Sequence, residues 1–113
     1  MANLREITSE DDWKALLDDS SEKPVVLLKH STTCPISANA WNEFNHTLEE
    51  LEAKGVETAY VKVIESRPVS LKIADELGVT HQSPQAILIK NKQATWNTSH
   101  WDITHDALLK EVQ

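Results

Sequence analysis

The only cysteine in this chain is Cys34, and it is followed by Pro35, Ile36 and Ser37. A thiol acts as a nucleophile through its thiolate form. Cys34 stands where an apolar run at 25–28 gives way to a helical pattern opened by Pro35. A sulfur at a helix N-terminus faces unpaired backbone N–H groups and the positive end of the dipole, and both favour thiolate. The alternative is an inert thiol filling the seam between strand and helix; the position favours the reactive reading. Ser37 holds the place where a C-x-x-C redox pair has its second cysteine. A hydroxyl there can hydrogen-bond to a thiolate but cannot attack a mixed disulfide. A partner joined to Cys34 is therefore released only by an outside thiol. Ser37 reads equally well as an ordinary third residue of a helix.

The rest of the composition removes other chemistries. One cysteine cannot form an internal disulfide, a four-cysteine zinc site or a self-contained iron–sulfur cluster. The two glycines, Gly55 and Gly78, can supply neither G-x-G-x-x-G nor a Walker A loop. His100, Asp102, His105 and Asp106 match no zinc spacing, so no metal is expected. With 18 acidic against 11 basic residues and a net charge of −7, no nucleic-acid or anionic-membrane partner is expected. Met1-Ala2-Asn3-Leu4-Arg5-Glu6 has no apolar h-region, and no apolar run reaches the length of a membrane span. An unpaired thiol without a signal fits a reducing cytoplasm.

The elements that must position Cys34 follow from periodicity. Thr8 or Ser9 caps a short helix whose start carries Glu10, Asp11 and Asp12, and Trp13, Leu16 and Leu17 form its apolar face. Pro24 opens the run 25–28, whose lack of alternation predicts a strand covered on both faces. Ile36, Ala40, Trp41, Phe44, Leu48 and Leu51 mark a long helix from Pro35 to Gly55. A β-rich stretch spans 58–64. Arg67-Pro68 starts a second helical pattern through Val69, Ile73 and Leu77, stopped at Gly78. Strands at 86–90 and 93–96 meet at a tight Asn91-Lys92 turn. Thr104 or Asp102 caps a last helix with Ala107, Leu108 and Val112. Helix, strand, helix, strand, helix, strand, strand, helix is the order of a thioredoxin-like α/β fold. That predicts one domain over residues 1–113, with a mixed four-stranded central sheet and helices on both faces. A monomer is expected.

In such a sheet Ser83-Pro84, just before the third long strand, is expected to be cis. Backbone groups of Ser83 then face the cysteine and can pair with an extended partner whose sulfur meets Cys34. Four segments now stand in order: Lys29-His30-Ser31-Thr32-Thr33-Cys34-Pro35-Ile36-Ser37, Arg67-Pro68-Val69-Ser70, His81-Gln82-Ser83-Pro84-Gln85 and Ser99-His100-Trp101-Asp102-Ile103. Together they resemble the monothiol bacilliredoxin family of the YtxJ type over nearly the whole chain. The resemblance implies a cytosolic enzyme that removes bacillithiol from mixed disulfides on proteins. Cys34 would be its nucleophile, and Thr33, Pro35, Ile36, Ser37, Ser83 and Pro84 would support the site. Bacillithiol would be a co-substrate, with no tightly bound cofactor. S-bacillithiolated client proteins, and a reductase for regeneration, would be the partners.

Five further residues are candidates for binding the small thiol. Arg67 can pair a carboxylate such as the malate group of bacillithiol. His81 can accept a proton or offset thiolate charge, although an exposed loop histidine is the plainer reading. Thr98, Ser99 and Trp101 lie in a segment, 97–101, that resembles the place where glutaredoxins hold their thiol, without the paired glycines found there. His30 is expected only to satisfy a backbone group. Two other functions fit the residues less well. One is a thioredoxin-fold adaptor with an inert or modified cysteine. The other is iron–sulfur carriage by a dimer, disfavoured because Pro35 removes an N–H from the turn.

Overall fold

The computed structural model describes residues 4–112. Its elements are β1 (Leu4–Glu6), α1 (Glu10–Asp19), β2 (Val25–His30), α2 (Pro35–Ala53), β3 (Glu57–Lys62), α3 (Arg67–Leu77), β4 (Gln85–Lys90), β5 (Gln93–Ser99) and α4 (His105–Val112), with a 3-10 turn at His100–Asp102. The sheet runs β1-β3-β2-β4-β5. β2 and β3 are parallel, while β4 is antiparallel to both β2 and β5. This is the mixed sheet expected, but it has five strands rather than four. The added strand, β1, pairs parallel with β3 from Leu4↔Thr58 to Glu6↔Tyr60. Three residues are too few to display a period of two, and the partner that makes them a strand lies far along the chain.

Local chemistry explains the other boundaries. The Ser9 hydroxyl accepts the Asp12 N–H at 3.2 Å, capping α1. The Thr104 hydroxyl accepts the Ala107 N–H at 3.1 Å, so Thr104 rather than Asp102 caps α4. Gly78 ends α3 at φ 66°, a left-handed stop. Asn91 and Lys92 both have positive φ, at 51° and 64°. The carbonyl and hydroxyl of Ser20 accept their two N–H groups at 2.8 and 2.9 Å, which pins this turn. β3 starts one residue earlier and ends two earlier than the 58–64 stretch, since the chain turns at 63–66. β5 continues through Thr98 and Ser99, so 97–101 is strand followed by a 3-10 turn rather than a loop.

Alternation divides the core into two layers. Val25, Leu27, Ala59, Val61, Ile87 and Ile89 pack with Trp13 and Leu16 of α1 and Val69 and Ile73 of α3. Val26, Leu28, Ala86 and Leu88 pack with Ala40, Phe44, Leu48 and Leu51 of α2 and Leu108 of α4. Every β2 residue is buried, as a central strand requires. The pairing directions place the ends of β2, β3 and β5 and the start of β4 at one end of the sheet. Four segments emerge there: the Cys34 turn, the approach to Arg67, residues 81–84 and the 3-10 turn.

Candidate active site

Cys34 is the N-cap residue of α2, in extended conformation at φ −104° and ψ 126°. Its carbonyl accepts the Ala38 N–H at 3.0 Å, the first bond of the helix. Pro35 fills a first-turn position where an N–H would have no helical partner. The thiol is free and half-buried. It makes no capping hydrogen bond in this conformation. Thr33 beside it is exposed, and Ile36 is half-buried.

Ser37 departs from expectation. It is fully buried. Its hydroxyl accepts the Ser31 N–H at 2.8 Å and lies 3.0 Å from His30 Nδ1. The expected hydrogen bond to the Cys34 sulfur is absent, because the hydroxyl points back onto the end of β2 and is taken there. Ser37 thus fastens strand to helix across the cysteine turn. His30 is not at a sheet edge serving a backbone group. It sits in the central strand, stacked on Trp41 at 4.5 Å. Burial pushes its pKa down, so the neutral ring is favoured.

The Ser83–Pro84 peptide is cis, as expected. Pro84 is buried, and its carbonyl accepts the His100 N–H at 3.0 Å, joining this loop to the 3-10 turn. Gln85 fastens the same loop by donating to the Thr80 carbonyl at 3.1 Å. The Ser83 hydroxyl is buried and has no partner among the described residues.

His81 is not an exposed loop histidine. It is half-buried, and its Nδ1 lies 3.1 Å from the Nζ of Lys29. Lys29 is 0% exposed, and its Nζ also donates to the Ser70 carbonyl of α3 at 3.1 Å. Burial pushes the Lys29 pKa down to about 8. Burial, then the charges of Lys29 and Arg67, push the His81 pKa down. Arg67 is exposed at the first position of α3 and forms no ion pair among the described residues. Thr98 and Ser99 are half-buried at the end of β5, and Trp101 is 61% exposed.

The fold therefore gathers Thr33–Ser37, Arg67, His81, Ser83, Pro84, Ser99 and Trp101 at one end of the sheet. Among the described residues no side-chain hydrogen bond reaches the Cys34 sulfur. Two participants, Lys29 and His30, carry more than their types suggested. Strand parity is the signal for both: Lys29 shares a face with Val25 and Leu27, under α3, and His30 shares one with Val26 and Leu28, under α2. Three shallow depressions, near Lys23, Glu57 and Asn91, lie at the opposite end and contain none of the candidates. Among the described residues no helix is long and apolar enough to cross a membrane.

Comparisons with known proteins agree with this geometry. Residues 5–108 match the family described as Monothiol bacilliredoxin BrxC. A solved chain described as an oxidoreductase with a thioredoxin fold is 35% identical, with a TM-score of 0.86, covering 97% of this chain and 94% of its own. Thioredoxin from Fasciola hepatica aligns at 18% identity and TM-score 0.75, covering 96% of this chain and 95% of its own. Thioredoxin from Malassezia sympodialis aligns at 20% identity and TM-score 0.78, covering 99% and 90%. The last two relate the fold alone. A thioredoxin-fold chain with one cysteine at the head of α2, built for thiol redox chemistry, belongs to the monothiol bacilliredoxin family.

Proposed function

We propose that this protein removes bacillithiol from mixed disulfides on other proteins, with Cys34 as the nucleophile. The Cys34 thiolate attacks the bacillithiol sulfur. A new disulfide joins Cys34 to bacillithiol as the old one breaks, and the client sulfur leaves as thiolate and takes a proton. A second bacillithiol thiolate, or a thiol of a reductase, then attacks the bacillithiol sulfur held on Cys34. Cys34 returns as thiolate and the attacking thiol is left in a disulfide.

The observation that carries this reading is the state of Ser37. The position where a second thiol would resolve the adduct holds a buried hydroxyl tied to Ser31 and His30. Nothing within reach can expel a partner from Cys34, so turnover needs a thiol from solution. Exposed Ile64 and Trp101 at the same end offer apolar surface to a client chain. The backbone of Ser83, beside cis-Pro84, would pair with an extended client chain. Arg67, His81, Thr98, Ser99 and Trp101 would be the contacts of the small thiol. We place the work in a reducing cytoplasm, where bacillithiol is kept as thiol.

Intact mass spectrometry tests the proposal. Incubation with oxidised bacillithiol should add one bacillithiol to Cys34. A bacillithiolated client should lose its adduct as Cys34 gains it, and free bacillithiol should then restore the thiol. Cys34→Ser should do none of this. Unchanged client release by Cys34→Ser would refute the mechanism. An unreactive Cys34 would favour an adaptor role.

A further inference from the structure

Lys29 is a fully buried lysine directly beneath the candidate site, and its two hydrogen bonds constrain a neighbour. An ammonium has donors and no lone pair. Its 3.1 Å contact with His81 Nδ1 therefore requires that Nδ1 accept. A neutral imidazole that accepts at Nδ1 carries its proton on Nε2. Nε2 has no hydrogen-bond partner among the described residues. It is thus an N–H donor left for something outside the chain, on the loop that carries Ser83 and Pro84.

The arrangement is held from three sides. Lys29 comes from the central strand, and Ser70 of α3 takes a second hydrogen of the ammonium at 3.1 Å. Arg67 sits three residues before Ser70, so its guanidinium opens the same helix. The charges that act on His81 are those of Lys29 and Arg67, with no carboxylate among the described residues beside them. Burial and the neighbouring charges keep His81 neutral, while Lys29, pushed down by burial only to about 8, remains charged at neutral pH. In a chain of net charge −7, an arginine that has no ion pair among the described residues and lies near enough for its charge to act on His81 is a local exception, and it adds a second donor to the Nε2 N–H. A planar carboxylate suits that pair of donors.

We propose that Lys29 is a positioning residue, holding His81 in the tautomer with its proton on Nε2, so that this N–H and the Arg67 guanidinium receive a carboxylate of the disulfide substrate. The inference rests on thiol–disulfide exchange at Cys34 as proposed above. It adds the chemical class that the site selects and the buried residue that enables the selection. The carboxylate can belong to the small-thiol half or to the client half of the disulfide.

One client peptide with a single cysteine separates these sources. Its thiol is blocked with mercaptopropionate, which carries a carboxylate, or with mercaptoethanol, which does not. In a second pair the mercaptoethanol-blocked peptide carries Glu or Gln beside its cysteine. The readout is the ratio of exchange rates within each pair, so a general change in Cys34 reactivity cancels. The native protein should prefer the carboxylate in one pair by about threefold to tenfold, the range for one charge-assisted hydrogen bond at a partly exposed site. That ratio should fall towards one in Lys29→Met and in His81→Phe. Lys29→Gln keeps an N–H donor for Nδ1 and should restore part of it. Nitrogen NMR of the His81 ring should show an unprotonated Nδ1 in the native protein and in Lys29→Gln, and a mixture of tautomers in Lys29→Met. A protonated Nδ1 in the native protein, or a carboxylate preference that survives in Lys29→Met, would overturn the proposal. Exchange without preference in either pair would overturn it while leaving the exchange reading intact. No exchange with any of the four disulfides would overturn both.

Discussion

Replacing Lys29 with methionine should stabilise the protein, although it deletes two hydrogen bonds. The side chain is 0% exposed, and burial lowers its pKa from 10.5 to about 8. At about 1.4 kcal/mol per pH unit, the charged folded form carries a cost of roughly 3 kcal/mol at neutral pH. Methionine keeps the straight chain and most of the volume, so no large cavity opens. Against that gain stands the loss of the donor to His81 Nδ1, about 1 kcal/mol. The Ser70 carbonyl lies within a helix and loses less. The net expectation is about 1–2 kcal/mol of stabilisation, or roughly 5 °C in the unfolding midpoint of a domain this size. The pH dependence supplies the sharper check. A lysine with a depressed folded pKa favours the fold above its unfolded value of 10.5, and that benefit is lost as the pH falls through about 8. The advantage of Lys29→Met should therefore be largest below pH 8 and close as the pH rises towards 10.5. Urea unfolding of both proteins across that range measures it. A Lys29→Met protein less stable than the native one at neutral pH, with a gap independent of pH, would refute the reasoning.

Three further outcomes are expected. Ser37→Ala leaves the buried Ser31 N–H and His30 Nδ1 without their shared partner and should cost about 1–3 kcal/mol in denaturant unfolding, while Cys34 remains available to alkylation. Ser37→Cys should form an internal disulfide with Cys34 on oxidation, seen as loss of two titratable thiols; failure to lock would place the two positions too far apart. His105 bonds Glu50 of α2 at 2.7 Å and Asp106 at 3.1 Å, which raise its pKa above the ordinary 6.5. Its contribution is fully present below 6.5 and is lost as the pH rises through the folded value. The midpoint difference between native protein and His105→Gln should accordingly be largest below pH 6.5 and shrink as the pH rises above it.

Much of the site was legible in one dimension because its signals are local. Pro35 after Cys34 marks the head of a helix whatever lies around it. Gly55 and Gly78 stop helices through their own backbone freedom, at φ 77° and 66°. The order of elements predicted the thioredoxin-like topology, and that topology alone brings Cys34, Arg67, Pro84 and Ser99 to one end of the sheet. β1 escaped because three residues have no periodicity to read. Ser37 was misread in its contacts because its partners lie on another element.

The sequence by itself determined that this protein has one thiol, no second one to resolve it, and a helix N-terminus on which to hold it. Residue type, spacing and backbone preference are enough for those conclusions. Only the tertiary structure decided which polar groups around the thiol are already occupied. Ser37 is taken by His30 and Ser31, and His81 is held by a lysine from the central strand. Hydrogen bonds between residues 52 positions apart, as Lys29 and His81 are, leave no mark in local pattern. They exist because sheet pairing and burial bring the two groups together and leave the fully buried ammonium to find its partners within the protein.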